Sequence, residues 1–235
     1  MGLKLLDIDR CGRVSIKAYT SASPNGSITA HLDSSDNTIL HEAGCSFLEV
    51  CNGDRDFQFG IHSIEGRNPP QSAQIVFDKQ YASPPKVVVW FREFDFDQGR
   101  NWRLRASTED ITNTGFTLRL YTWADSKLNK ASVTWIAHPA NRPNIASGTF
   151  DTQEIRPWNQ PRMENKKAII FDKIFERPPR VLIGLNAFDI DCGSNLRLKA
   201  LTTSITTESM VVHLNSWHDT TQYLSRADYI AIQDF

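Results

Sequence analysis

Two stretches of this chain carry the same residues in the same order, and this repetition constrains the fold more than any other feature. Residues 75–90 read IVFDKQYASPPKVVVW, and residues 169–184 read IIFDKIFERPPRVLIG. The same offset of 94 residues pairs Asp95/Asp189, Asp97/Asp191, Asn101/Asn195, Arg103/Arg197, Ala106/Ala200, Thr108/Thr202, Trp123/Trp217 and Ile136/Ile230. A spacing that stays constant without a gap indicates one structural unit that was duplicated.

A third, partial copy opens the chain. Residues 5–21 align with residues 93–109, so that the Asp-x-Asp pair and the Ala-x-Thr pair coincide. We therefore predict a partial repeat at 1–51 (the opening segment) and full repeats at 55–140 (the first full repeat) and 145–235 (the second full repeat). No I-x-F-D-K…P-P segment precedes the opening segment, which leaves open that a longer chain supplies one.

Charge and hydropathy exclude several classes of partner. The formal net charge of this 235-residue chain is −1, and the charges are dispersed, so nothing marks a nucleic-acid surface. Apolar runs have the length of strands, which predicts no membrane insertion. The first twelve residues, MGLKLLDIDRCG, lack the apolar core of a signal peptide, so we expect a cytoplasmic or non-classically secreted protein.

The cysteines do not form a metal-ligand pattern. Cys11, Cys45, Cys51 and Cys192 include no C-x-x-C pair, and none recurs between the full repeats. We expect free thiols, no metal and no cofactor, with a Cys45–Cys51 bridge as the open alternative.

The pattern of residues within each full repeat is typical of β-strands. Alternating segments rich in Val, Ile, Thr and aromatic residues occupy 86–94, 101–108, 116–123 and 131–138, and their counterparts follow in the second full repeat. Turn residues separate the segments, which favours an all-β fold of antiparallel sandwiches with about six strands per full repeat. Phe77, Phe171, Phe150, Trp135 and Tyr229 are the expected core.

Arg, Trp, His and Tyr gather near one end of the predicted sandwich in the second full repeat. Arg197 faces away from its apolar neighbours on a strand, and Trp217, His218 and Tyr223 follow the end of the fifth strand. An indole or phenol ring can pack on the C–H face of a sugar, and Arg and His can hydrogen-bond its hydroxyls. The same residue types also occur as packing and solvated surface residues, so composition alone leaves both interpretations open.

The order of motifs along each full repeat favours the sugar-binding interpretation. I-x-F-x(3)-Y/F-x(2)-P-P-x-V is followed by Asp, N-x-R, T-G-F, Y-T-W and W-I, and this series resembles the H-type lectin domain. The resemblance covers both full repeats and, weakly, the opening segment. It implies six-stranded antiparallel sandwiches that assemble as trimers and bind N-acetylgalactosamine or galactose between subunits, without a metal.

The resemblance also implies a set of sugar-binding residues in the second full repeat, where Arg197, Trp217, His218 and Tyr223 all match the family pattern. In the first full repeat, Arg103 and Trp123 match, whereas Ala124 replaces the histidine and Asn129 the tyrosine. In the opening segment, Ser15, Ser34 and Ser35 stand at the arginine, tryptophan and histidine positions, so its site is expected to be lost.

Two features of the implied site depend on the tertiary structure. The family uses an acidic residue from a loop that cannot be aligned here, for which Glu164 and Glu65 are the candidates. The family pocket also joins adjacent subunits, so two fused units could form it within one chain. If Arg103 meets the Trp217, His218 and Tyr223 set, a full pocket forms. If Arg197 meets Trp123, Ala124 and Asn129, that pocket lacks the histidine and the second aromatic residue.

The Asp-x-Asp pairs invite a calcium or catalytic interpretation. They are Asp7/Asp9, Asp95/Asp97 and Asp189/Asp191. Because they recur in the opening segment, where the sugar residues are absent, a structural role that accepts backbone N–H groups is favoured. No catalytic residues are predicted.

The sequence therefore predicts a multivalent lectin for galactose-type glycans that catalyses no reaction and packs as a trimer-like oligomer, within one chain or between chains. Two alternatives remain: a structural or protein-interaction module that keeps the fold without sugar binding, and an accessory carbohydrate-binding part of a larger enzyme.

Overall fold

The computed structural model describes residues 1–24, 26–50, 54, 56–66 and 71–233. Within these ranges the chain is built from β-strands and one turn of 3-10 helix, which confirms the predicted all-β class. The strands are β1 (Gly2–Ile8), β2 (Val14–Ala22), β3 (Ile28–Asp33), β4 (Leu40–Ser46), β5 (Gln58–Glu65), β6 (Ser72–Val76), β7 (Lys86–Phe96), β8 (Trp102–Glu109), β9 (Gly115–Tyr121), β10 (Leu128–His138), β11 (Ile145–Asp151), β12 (Lys166–Ile170), β13 (Arg180–Ile190), β14 (Leu196–Thr203), β15 (Ser209–Asn215) and β16 (Gln222–Ile232).

Alternation of apolar and polar residues accounts for these strands. In β9 every second residue is buried, and β15 repeats the pattern. These two strands end at Tyr121 and Asn215, two residues before the predicted ends at Trp123 and Trp217, so both tryptophans lie in loops. Ala124 and His218, the residues that follow them, adopt the left-handed φ values of 55° and 56° that continue the turn.

Each sheet is shared by two units. The described strands form sheets in the orders β11-β16-β13-β8-β9-β6, β12-β15-β14-β1-β4 and β3-β2-β7-β10-β5. The first joins the two full repeats, the second joins the second full repeat to the opening segment, and the third joins the opening segment to the first full repeat. Each of the three units therefore shares one sheet with each of the other two, and strands pair in the same way at every junction.

We call the strand pair that joins two units a seam. The Arg103 seam pairs β8 with β13, the Arg197 seam pairs β14 with β1, and the Arg13 seam pairs β2 with β7. With the proposed unit boundaries, each full repeat supplies six strands and the opening segment supplies β1–β4.

The predicted core residues are buried. Phe77, Phe171, Phe150, Trp135 and Tyr229 all belong to one apolar cluster that extends through the interiors of the sandwiches. Pro84-Pro85 and Pro178-Pro179 precede β7 and β13 directly, where the missing N–H groups remove no ladder bond.

A second apolar cluster lies where β1, β7 and β13 pack against one another. Trp90 is fully buried there and donates its indole N–H to the Asp228 carbonyl at 2.9 Å. The positions that match Trp90 in the other units are Gly2 and Gly184, since all three residues hold the same place in strand pairing. A Cβ at Gly2 or Gly184 would lie 2.6 or 2.5 Å from Trp90 atoms, so one indole fills the space that three equivalent positions share.

Candidate functional site

Arg197 links two units and an exposed loop. It lies on β14 opposite Asp7 of the opening segment, and its Nε is 3.3 Å from Asp7 Oδ1. Its Nη1 donates to Asp219 Oδ1 at 2.6 Å and to Thr220 Oγ1 at 3.4 Å. With 14% of the side chain exposed, the guanidinium is fixed from one side and reaches solvent on the other.

The loop that Arg197 holds carries Trp217 and His218. Thr220 N–H donates to the Trp217 carbonyl at 3.3 Å, and Thr220 Oγ1 donates to the Asn195 carbonyl at 2.8 Å. The Trp217 side chain is half-buried and His218 is exposed. The hydrogen bond from Arg197 lowers the pKa of the exposed Asp219 carboxyl, which follows Trp217 and His218 in this loop. We call Arg197 and this loop the rim.

Arg103 makes the same contacts at its own seam. Its Nε lies 3.2 Å from Asp189 Oδ1, and its Nη1 donates to Asp125 Oδ1 at 2.8 Å and to Ser126 Oγ at 3.3 Å. Burial raises the pKa of Asp189, whereas the hydrogen bond from Arg103 lowers the pKa of the exposed Asp125. Trp123 precedes Asp125 in the loop and contacts the Tyr121 ring at 6.2 Å.

Tyr223 lies at the Arg103 seam. Its hydroxyl donates to Asp191 Oδ2 at 3.3 Å, and the Trp158 ring meets it edge-on at 6.3 Å. Burial, followed by the charge of Asp191, raises the pKa of Tyr223. Arg103 meets Asp189 and Tyr223 meets Asp191, so the two side chains contact the same Asp-x-Asp pair.

The direct contact of the Trp217 and His218 loop is instead with Arg197, through Asp219. The loop connects β15 in one sheet to β16 in another, so it lies between two seams. The six predicted residues Arg197, Trp217, His218, Tyr223, Arg103 and Trp123 thus distribute over two neighbouring seams.

The Arg13 seam contains a guanidinium that the sequence comparison missed. Ser15 pairs with Asp95, as predicted for the arginine position. Arg13 directly precedes β2, two residues before Ser15, and its Nε is 3.1 Å from Asp95 Oδ1. A guanidinium at this position therefore reaches the carboxylate of the neighbouring unit.

The turn after β3 corrects the alignment of the opening segment by one residue. Thr38 N–H donates to the Ser35 carbonyl at 2.9 Å, in the same way that Thr220 bonds to Trp217. Ser35 therefore occupies the tryptophan position that the sequence alignment assigned to Ser34. The absence of an aromatic residue there is unchanged.

The Asp-x-Asp pairs have separate structural roles. The first aspartate of each pair meets the arginine of the neighbouring unit, and the second contacts a side chain of its own unit. These second contacts are His41–Asp9 at 3.5 Å, Asn129–Asp97 at 2.8 Å and Tyr223–Asp191 at 3.3 Å. Asp9 and Asp191 also accept the N–H groups of Cys11 and Gly193 at 2.7 Å, as expected for strand-ending aspartates.

The acidic residues that bond to Nη1 of the two arginines are Asp125 and Asp219, which follow the fifth strand of each full repeat. Of the two candidates for the family's loop acid, Glu65 lies opposite Lys130 on β5, and Glu164 is exposed before β12. A sequence signal for the two aspartates existed, because the spacing W-x-D recurs at Trp123 and Trp217.

Three further observations concern metal ligands, membrane spans and thiols. No cluster of His, Cys, Asp and Glu with the geometry of a metal site occurs in the part of the chain that the structure describes. No helix within the described ranges is long and apolar enough to cross a membrane. Cys11, Cys45 and Cys192 are free thiols, and Cys51 lies outside the described residues.

Comparisons with known proteins give the family. The sequence model of the H-type lectin domain matches residues 72–138 and 166–232, together more than half of the chain. A protein of Fuscovulum blasticum, described as ATP synthase subunits region ORF 7, is 34% identical over 83 residues, which cover 35% of this chain and 72% of that protein.

Two structures of discoidin II from Dictyostelium discoideum are similar at 14% and 15% identity. They cover 99% and 100% of this chain and 74% of each discoidin chain, with a TM-score of 0.33. That score is too low to transfer an arrangement of units, so the family rests on the sequence matches. By its two domain matches, this chain belongs to the H-type lectin family of carbohydrate-binding domains.

Proposed function

We propose that this protein binds glycans that end in galactose or N-acetylgalactosamine, at the outer ends of its seams. The observation that carries the proposal is the geometry of Arg197. Its Nε is fixed on Asp7 of another unit, while its Nη1 meets the exposed carboxylate of Asp219 between solvent and the Trp217–His218 loop. An arginine held in this way is preorganised, so a ligand does not have to order it.

The chemistry of the rim suits a hexose. The half-buried Trp217 indole offers an apolar plane for the C–H face of a sugar ring. Asp219, whose pKa Arg197 lowers further, is a carboxylate that accepts hydrogen bonds from hydroxyls, and His218 can donate or accept. Aromatic stacking beside a charged hydrogen-bonding pair is the combination that the sequence predicts for sugar binding.

The Arg103 seam is the proposed second site. It repeats the arginine, the exposed aspartate and the tryptophan at Arg103, Asp125 and Trp123, and Tyr223 lies beside it. Ala124 stands where the Arg197 seam has a histidine, so we expect weaker binding. A single shallow sugar site reaches a Kd near 1 mM, ~4 kcal/mol, and linked sites raise the avidity.

The units of one chain, which close on one another through shared sheets, would take the place of the subunits of a trimer in this proposal. One chain then carries both sites, and multivalency needs no further copy. Binding alone accounts for these features, so the proposal includes no catalysed reaction.

The test uses the half-buried aromatic residues Trp217 and Trp123, because neither takes part in the ion pairs of Arg197 and Arg103. Titration of N-acetylgalactosamine and methyl galactoside, followed by NMR or calorimetry, should show roughly tenfold weaker binding for Trp217→Ala, ~1.4 kcal/mol. Trp123→Ala should remove the weaker of the two binding phases in this titration. Ser35→Ala, at the equivalent position of the opening segment, is the matched control and should leave binding unchanged. Unchanged binding in a Trp217→Ala, Trp123→Ala double variant would contradict the proposed sites.

A role as an interaction module without sugar binding is the second candidate. Ala124 and Asn129 in one repeat and Ser35 in the opening segment favour it, because they remove the aromatic and imidazole groups. A glycan array on which the wild-type chain stays silent for all galactose-type sugars would support this role.

A further inference from the structure

We propose that Trp158, Met163 and Tyr223 form a shelf that binds the second sugar of a glycan, so that the protein prefers a disaccharide or longer chain to a single galactose-type sugar. This inference deepens the proposed function and rests on it, because the terminal sugar occupies the Arg103 seam. It is carried by an exposed indole that a buried frame holds in place.

The connection between the first two strands of the second full repeat supplies this indole. Residues 152–165 connect β11 to β12, whereas residues 66–71 connect the equivalent strands β5 and β6. The shorter connection reads GRNPPQ and has no aromatic residue, whereas the longer one carries Trp158. The two full repeats therefore differ at this point in a side chain that can stack on a ligand.

A buried arginine fixes the longer connection to the strands beneath it. Only 3% of Arg156 is exposed, and its guanidinium donates to the carbonyls of Gln222 at 2.8 Å and Tyr223 at 2.9 Å. Its Nε donates to Asn165 Oδ1 at 2.6 Å. The fully buried Asn165 amide donates in turn to the Leu214 carbonyl at 3.0 Å. Both ends of the segment between Arg156 and Asn165 are thereby fixed on β15 and β16, so a ligand does not have to order it.

The fixed segment presents apolar side chains to solvent. Trp158 is 59% exposed and Met163 is 46% exposed, so neither adds much burial to the fold. The Trp158 ring meets Tyr223 with the ring planes 64° apart. Ser216, which directly precedes Trp217, donates its N–H to the Met163 carbonyl at 2.8 Å. The shelf therefore extends from Tyr223 toward the Trp217 loop.

The shelf has the chemistry of a surface that stacks on sugars. Indole and phenol rings pack on the C–H face of a pyranose, and the flexible thioether of Met163 adapts to its edge. Arg162 and Glu164 flank Met163 and are exposed, so they can donate to and accept from hydroxyl groups. A few apolar side chains beside charged ones favour a glycan over a protein partner, whose stable interface needs about 800 Å² on each side.

Tyr223 joins the shelf to the site of the terminal sugar. Its hydroxyl donates to Asp191, and Arg103 contacts Asp189 of the same Asp-x-Asp pair. A glycan whose terminal galactose lies at the Arg103 seam therefore passes its next ring over Tyr223 to Trp158.

The test compares methyl galactoside with N-acetyllactosamine and lacto-N-biose, two disaccharides that add N-acetylglucosamine through different linkages. Calorimetric titration of the full chain should show about fivefold tighter binding of at least one disaccharide. In Trp158→Ala this ratio should fall to about one, whereas Trp158→Phe keeps a stacking ring and should retain most of it. Ile174→Ala is the matched control, because Ile174 is 74% exposed and lies beyond the other end of β12, and it should leave the ratio unchanged.

NMR of the indole N–H groups gives a second readout. The Trp158 signal, assigned by its loss in Trp158→Phe, should shift on titration with the preferred disaccharide. Disaccharide binding without this shift, or the same affinity ratio in Trp158→Ala as in the wild type, would overturn the inference and leave the proposed function intact. Absence of sugar binding by the wild-type chain would overturn both.

Discussion

Trp90 packs against two glycines. We therefore predict that Gly184→Ala lowers the free energy of unfolding in the wild type but not in a Trp90→Ala background. Trp90 is fully buried between units, and a side chain of this kind removes about 150–250 Å² from water. At about 25 cal/mol per Å², its removal in Trp90→Ala should cost ~4–6 kcal/mol. The lost hydrogen bond to the Asp228 carbonyl adds about 1 kcal/mol.

Gly184→Ala should respond in opposite ways in the two backgrounds. In the wild type, the new Cβ would stand 2.5 Å from Trp90 Cγ, so we expect a loss of about 1–3 kcal/mol from overpacking. In Trp90→Ala the same methyl group enters a cavity, and the change should be neutral or stabilising. The coupling energy should therefore reach at least ~1 kcal/mol.

Urea denaturation, followed by tryptophan fluorescence and circular dichroism, measures the free energy of unfolding of the wild type, the two single variants and the double variant. Gly60→Ala is the matched control, because its Cβ would meet Trp135, on the opposite face of the sheet, at 2.6 Å. It should destabilise both backgrounds equally. A Gly184→Ala cost that is the same with and without Trp90 would refute the idea that one indole occupies the space shared by the three units.

Two further predictions concern buried and exposed charges. Burial lowers the pKa of His138 from 6.5 to about 4; the charges of Lys86 and Lys173 act in the same direction, whereas the Pro139 carbonyl and Asp172 oppose the shift, so between these pH values only the unfolded state binds this proton. The free energy of unfolding should fall by ~1.4 kcal/mol per pH unit as the pH drops from 6.5 to about 4, and His138→Asn should remove this slope in urea titrations at stepped pH. Arg197→Ala should lower the free energy of unfolding by about 1–3 kcal/mol, because it leaves the shielded Asp7 carboxylate without its partner. Arg100→Ala, which breaks a pair with both side chains more than half exposed, should change the urea midpoint by ~0.5 kcal/mol or less; similar losses in both variants would contradict the role of burial.

Several features could be read from the sequence because they are local or repeated. Alternating residues fixed the strands and their buried faces, as in β9, where Phe116, Leu118 and Leu120 face the core. The constant offset between repeats placed Arg103 and Arg197, and Trp123 and Trp217, at matching positions in their units. The prolines before β7 and β13 marked where those strands begin.

Other features depend on which unit lies beside which, and no pattern along the chain specifies that. Arg13 replaces a missing arginine only because β2 pairs with β7, which brings its side chain to Asp95. Tyr223 and the Trp217 loop belong to one short segment, but the strands on either side enter different sheets.

The sequence by itself determined the class of fold, the repeated unit and the residue types at each rim, because short-range periodicity and motif spacing carry that information. The tertiary structure alone decided that the units share sheets and that Trp90 packs against Gly2 and Gly184. These outcomes follow from contacts between residues far apart in the chain, where the shape of one unit limits what another can place against it.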